Sequence, residues 1–246
     1  MKAVILGASK GIGRALARQI AARGDRLHLL GRDLDELKLC ARDLEGRYPS
    51  ASGVSWSACD LERPDTFGPA LDAAWKALDG VDTVIVTAAL FDTQERLEQD
   101  RDLARRLLTV DFSHTVVFCE EARVRLQSAS AGTLCVFSSV AGERGRKPVV
   151  LYGAAKAGLT RYLEGLDHKF RAQGLRTVCI KPGFVRTSMT AGLPEPPFAA
   201  DADTVAAAAL RAIDRGTPVV YTPRIWAVIM AVIRRLPRFV MRRIGF

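Results

Sequence analysis

Three side chains of this 246-residue chain stand at spacings suited to moving a proton to or from an oxygen: Ser139, Tyr152 and Lys156. Tyr152 and Lys156 are four positions apart in Tyr152-Gly153-Ala154-Ala155-Lys156, so on a helix they point from one face. A phenol, with an ordinary pKa of about 10, is a poor acid–base catalyst near neutrality. An ammonium one turn away favours the phenolate, so Lys156 is expected to pull Tyr152 down. Ser139, thirteen positions before Tyr152, can donate a hydrogen bond to a carbonyl oxygen that becomes alkoxide-like in the transition state. A lone Tyr-x-x-x-Lys is most often an exposed helix pair. A matched Ser upstream and the turn described next make coincidence the poorer account.

That turn is Gly7-Ala8-Ser9-Lys10-Gly11-Ile12-Gly13, which follows an apolar run and opens a helical pattern. Glycines there let the backbone turn tightly and approach a pyrophosphate, whose charge sits at the helix N-terminus. Gly7, Ser9, Lys10, Gly11, Ile12 and Gly13 are therefore expected at a dinucleotide. At the end of the second apolar run, Leu29-Leu30-Gly31-Arg32-Asp33, a glycine stands where an acid would hold the ribose hydroxyls of NAD. Arg32, helped by Lys10, suits a 2′-phosphate. NADP(H) is favoured and NAD(H) stays open. Asp33 is read as the N-cap of a helix over Leu34–Glu45.

These residues need elements to carry them. Short apolar runs at Ala3–Leu6, Leu27–Leu30, Val54–Ala58, Thr83–Thr87, Thr133–Ser138, Thr177–Lys181 and Val219–Tyr221 alternate with helical patterns such as Ile12, Leu16 and Ile20. That alternation predicts an α/β fold, a doubly wound parallel sheet of Rossmann type in a single domain, with ligand loops along one edge. Residues 1–222 are read as the nucleotide-binding and catalytic domain, and 223–246 as a basic amphipathic tail. The Pro-containing stretch Ala191–Asp203 is read as a surface excursion within the domain.

The motifs together resemble the short-chain dehydrogenase/reductases, over nearly all of the body. The matching stretches are the Gly turn, Cys59-Asp60-Leu61, Ser139 with Tyr152 and Lys156, and Lys181-Pro182-Gly183-Phe184-Val185-Arg186-Thr187. The resemblance implies hydride transfer between a nicotinamide and a carbonyl or alcohol carbon. Tyr152 would exchange the proton, Lys156 would tune it and hold the nicotinamide ribose, and Ser139 would orient the substrate oxygen. Asp60 and Leu61 would meet the adenine, and Pro182, Gly183, Val185 and Thr187 the nicotinamide. The family's Asn-Asn-Ala-Gly is here Thr87-Ala88-Ala89-Leu90, with Ala88 at the cofactor, and its catalytic Asn is here Asp111. A carboxylate there should raise the pKa of Lys156. A narrower resemblance, to reductases that act on a keto-pentose carried by a polyprenyl phosphate within ribose 2′-epimerases, rests on 142–147, 184–189 and the tail. It implies a flavin oxidase partner, and Arg144 and Arg146 engaging a substrate phosphate. Two alternatives stay open: a reductase of a soluble carbonyl such as a 3-oxoacyl thioester or steroid-like ketone, and a catalytically silent NADP(H)-sensing interaction protein.

Bulk properties restrict the rest. The chain is 48% hydrophobic and 26% charged, which suits one large buried core and argues against disorder. Five scattered cysteines without a Cys-x-x-Cys read as buried free thiols in a reducing cytoplasm, and no spacing of His or Cys suggests a metal. Of the net charge of +9, seven units are arginines after Asp214, where no acid follows. Any anionic partner therefore belongs to the tail. Its longest uncharged run, Ile225–Ile233, is nine residues, against about 20 needed to span a bilayer. A basic amphipathic segment can lie on the inner face of a membrane, or pack on the body or on a second subunit of a homo-oligomer. No nucleic-acid-reading motif accompanies the charge.

Overall fold

The fold is taken from a computed structural model that describes residues 1–51, 53–129 and 131–244. Gly245 and Phe246, the last two positions assigned to the tail, lie outside the described residues. Seven parallel strands form one sheet in the order β3-β2-β1-β4-β5-β6-β9. They are β1 (Lys2–Leu6), β2 (Arg26–Gly31), β3 (Ser55–Ala58), β4 (Thr83–Val86), β5 (Gly132–Phe137), β6 (Leu175–Pro182) and β9 (Val219–Thr222). All seven expected strands are present. The inner ones are apolar on both faces and fully buried, as helices on both sides require, whereas edge strand β3, Ser-Trp-Ser-Ala, keeps partial exposure.

Helices cover the two faces as separate layers. On one lie α1 (Gly11–Ala22), α2 (Leu34–Arg47) and α8 (Ala202–Arg215), which bury Leu16, Ile20, Leu37, Leu44, Val205 and Leu210. On the other lie α3 (Phe67–Leu78), α6 (His114–Ser128) and α7 (Val150–Phe170), packed through Phe67, Phe118, Leu159 and Leu163. Residues Leu16 and Ile20 share a face of α1 because they are one turn apart, and both are fully buried. The α2 helix starts where Asp33 accepts a hydrogen bond from Glu36 N at 3.0 Å. It runs to Arg47, two residues beyond the expected Glu45.

The chain winds outward from β1 to β3, then crosses back to β4 beside β1. That reversal opens a crevice beyond the carboxyl ends of β1 and β4. Two short helices, α4 (Gln94–Gln99) and α5 (Arg101–Leu108), lead from β4 to a π-helical turn at Thr109–Ser113 that carries Asp111. The excursion at 191–203 does more than cross the surface. Its end forms β8 (Ala200–Asp201), paired with β7 (Val185–Arg186) just after the Pro182-Gly183 turn.

After β9 come α9 (Ile225–Ile233) and α10 (Arg238–Arg243). The α9 helix buries Met230 and Ile233 against Val140 of the β5–α7 connection. Glu143 fastens it there. The Glu143 carboxylate pairs with Lys181 Nζ on β6 at 2.5 Å, accepts from the Tyr221 hydroxyl on β9 at 3.0 Å, and pairs with Arg234 beyond α9 at 2.9 Å. All five cysteines are buried and free.

Candidate active site

Loops from six strand ends close around one cleft of about 980 Å³. Gly7 and Ser9 to Gly13 line it, with Arg32 after β2, Asp60 and Leu61 after β3, and Ala88 after β4. Ser139, Tyr152, Lys156, Pro182, Gly183, Val185 and Thr187 complete the wall. Two expected residues do not line it: Asp111 and Arg144.

The nucleotide end is shaped by close packing. Gly7 has φ of +91°, the left-handed region that favours glycine. A Cβ at Gly13 would strike Gly7 O and stand 2.6 Å from Thr87 Oγ1. The Thr87 hydroxyl lies 3.0 Å from Leu6 O, tying β4 to β1 under the turn where the family carries Asn. At the start of α1, Lys10 gives no side-chain cap, and the first turn has no acid. The first-turn amides are thus left for an anionic group, as a pyrophosphate would require. Lys10 and Arg32 are both exposed on this part of the wall. The residues fit a dinucleotide.

The reacting end is built by β5, α7 and the connection between them. Ser138 Oγ donates to Lys156 O at 2.9 Å and lies 2.7 Å from Thr160 Oγ1, which seats α7 on β5. Ser139 Oγ accepts from Ala141 N at 3.1 Å, and this fixes its rotamer. The turn that follows touches α7 directly, for a Cβ at Gly142 would lie 2.7 Å from Ala157 N. That approach brings Ser139 close enough to the Tyr152 hydroxyl to pull its pKa down. Lys156 Nζ sits 5.5 Å from the centroid of the Tyr152 ring and donates weakly to Phe137 O at 3.5 Å. Behind it is Asp111, fully buried, with Oδ2 3.3 Å from Lys156 Nζ and Oδ1 accepting from Leu90 N at 2.6 Å.

These surroundings set the protonation states. Burial pushes the Tyr152 phenol up and the Asp111 carboxylate adds to this, while Lys156 and Ser139 pull down; the net direction is up. This corrects the expectation of a phenol lowered by its lysine. The ammonium is there, but burial, with the Phe91 ring packed edge-on at 5.1 Å, outweighs it, and Asp111 offsets part of its field. Burial opposes the charge on Lys156, yet Asp111 and Tyr152 together outweigh it and hold the ammonium above its ordinary value. Burial likewise raises Asp111, against the pull of Lys156.

The two arginines of the connecting loop part company. Arg146 lines the cleft, where burial lowers its pKa. Arg144 Nη2 instead donates to Leu236 O at 2.8 Å and holds the tail, so the structure does not bring it to the cleft. Sequence reasoning missed a further part of the cleft wall: Trp226, Ile229 and Ile233 of α9, with Met189 and Phe198 from 184–198. The spacing of Trp226, Ile229 and Ile233 puts them on one helical face, but nothing local says which surface that face meets.

Comparison with known proteins agrees with the geometry. Residues 1–197 match the family described as short chain dehydrogenase. An uncharacterized oxidoreductase of Mycobacterium tuberculosis is 34% identical over 242 residues, 98% of this chain and 95% of that one. Carbonyl reductase family member 4 of Danio rerio is 28% identical over 193 residues, 78% of this chain and 79% of that one. Among solved structures, a short-chain dehydrogenase from Sphingobium yanoikuyae in complex with NADPH superposes with a TM-score of 0.81 at 24% identity, covering 96% of each chain. This chain belongs to the short-chain dehydrogenase family, as an NAD(P)-dependent oxidoreductase acting between alcohol and carbonyl.

Proposed function

We infer that the chain reduces a ketone with NADPH and that Tyr152 donates the proton. The observation that carries this reading is a phenol held protonated beside Ser139, on a cleft whose other end is the bare start of α1. A bound nicotinamide would supply the hydride. Ser139 Oγ and the Tyr152 hydroxyl converge on one oxygen position, where negative charge develops as a carbonyl is reduced. Tyr152 then gives up its proton, and the Lys156 ammonium stabilises the phenolate that remains. Asp111 is a positioning residue that keeps Lys156 charged and fixes the Leu90 turn. Lys10 and Arg32 favour a 2′-phosphate over a bare ribose.

The substrate reading is a keto-sugar linked through phosphate to a polyprenyl chain. Arg146 at the wall supports the phosphate, and Trp226, Ile229 and Ile233 support an apolar chain. A soluble carbonyl is the second reading, supported by the Danio rerio relative, which is named for carbonyl reduction.

The test is NADPH oxidation with phosphate-bearing and neutral ketones. Tyr152→Phe should lower turnover about 10²- to 10⁴-fold. Arg146→Ala should lower kcat/KM about ten- to a hundredfold for phosphate-bearing ketones only. Equal effects on both classes would leave the soluble-carbonyl reading. Tight NADPH binding with no ketone reduced would overturn both in favour of a cofactor-sensing protein.

A further inference from the structure

The α9 helix has two apolar faces, and only one of them is used by the body. Trp226, Met230 and Ile233 face inward, one turn apart, against the cleft and the 140–143 turn. On the opposite side, Ile225, Val228 and Val232 form a second stripe, 40%, 63% and 58% exposed. Phe239 on α10 adds a further exposed apolar side chain, 60% exposed. Around it stand Arg224, Arg235, Arg238, Arg242 and Arg243, all exposed. Among the described residues none of these five is ion-paired, whereas Arg234, which faces the body, is paired with Glu143.

We propose that α9 and α10 dock on an anionic lipid bilayer, with Ile225, Val228, Val232 and Phe239 entering the interface and the five arginines meeting the headgroups. Charge complementarity selects this occupant. Five unpaired cations around four apolar side chains make a surface that attracts negative charge and gains from burial in the acyl boundary. A second copy laid face to face would bring ten such cations together, with no acid after Asp214 to relieve them. No helix among the described residues is long and apolar enough to cross a membrane, so the contact is interfacial.

The arrangement also bears on the proposed reaction. Because Trp226, Ile229 and Ile233 of α9 line the cleft, docking sets that part of it against the bilayer, where a carbonyl carried on a lipid chain could enter. This consequence rests on the reductase reading; the docking does not.

The experiment therefore omits cofactor and substrate. The whole protein is floated with vesicles of phosphatidylcholine alone and with vesicles containing about a quarter phosphatidylglycerol. Binding is expected only to the anionic vesicles. Arg238→Gln/Arg242→Gln/Arg243→Gln should weaken it about a hundredfold, and Val228→Ser/Val232→Ser about tenfold or more. Circular dichroism and NADPH binding of both variants should match the parent. Equal binding to neutral vesicles, no binding to either, or variants that float like the parent would overturn the proposal. So would a fall in molar mass by light scattering in Val232→Glu with unchanged flotation, which would assign the face to a second copy.

Discussion

Lys156 Nζ lies 3.3 Å from Asp111 Oδ2, and neither side chain is more than 2% exposed. A carboxylate thus stands where an asparagine is usual, directly behind the lysine that faces the phenol. Its second oxygen holds Leu90 N, so the charge is fixed in place by backbone as well as by the ion pair. Burial holds the phenol above its ordinary pKa although an ammonium is close to it, and the Asp111 carboxylate adds to that by offsetting part of the ammonium's field.

Asp111→Asn should therefore change protonation more than architecture. Asparagine can still accept from Leu90 N but adds no negative charge. Both Lys156 and Tyr152 are held up in part by that charge, so both should titrate at lower pH in the variant. Alcohol oxidation, which needs the phenolate, should gain activity at neutral pH, and its rising limb should move to lower pH. Ketone reduction, which needs the neutral phenol, should lose activity on its alkaline side first. Rate profiles in both directions measure this, and superimposable profiles for parent and variant would refute the role given to Asp111.

Arg32→Asp should reverse cofactor choice. Losing a charge-assisted contact and gaining a repulsive carboxylate should cost NADPH about ten- to a hundredfold in kcat/KM, with NADH unchanged or improved. Kinetics with the two cofactors decide it; an unchanged ratio would mean that Arg32 is only a surface cation.

Glu143 and Lys181 form a buried pair, 4% and 6% exposed at their side chains. Glu143→Ala strands the ammonium and also releases Tyr221 and Arg234. Unfolding free energy from urea titration should fall by about 3–5 kcal/mol. Replacing both partners with methionine should recover part of that loss. A loss within about 1 kcal/mol for the single variant would show that the pair behaves like an exposed one.

His28 gives the acid limit of stability. Its ring on β2 sits between Ser55 Oγ at 2.7 Å and Ser57 Oγ at 2.9 Å on β3, and burial lowers its pKa to about 4. The unfolded value, about 6.5, is higher, so unfolding takes up a proton between the two. The stabilisation is complete above about pH 6.5 and is lost as pH falls toward 4, by about 3 kcal/mol. His28→Gln should flatten this stretch of the pH–stability curve. Parallel curves would place the acid sensitivity elsewhere.

What could be read without coordinates follows from how locally each feature is written. Most of the strands are largely apolar runs, and the Gly7–Gly13 turn and the Tyr152/Lys156 spacing lie within short stretches of chain. Such signals survive in sequence because they involve neighbours. The sign of the Tyr152 shift depends on burial in the folded chain, with Phe91 packed on the ring, and then on Asp111, 41 positions upstream, so it was not legible. Arg144 and Arg146 look equivalent in the sequence, yet one reaches Leu236 O and the other the cleft. The inner face of α9 was visible as a periodicity, while its contact with Val140 came only from tertiary packing.

The family match spans residues 1–197, yet Trp226, Ile229 and Ile233, which line the same cleft as Tyr152, lie beyond it. Part of the wall is therefore encoded apart from Ser139, Tyr152 and Lys156. A lineage could rewrite the nine codons of α9, reshape that part of the cleft, and inherit the three reacting side chains untouched.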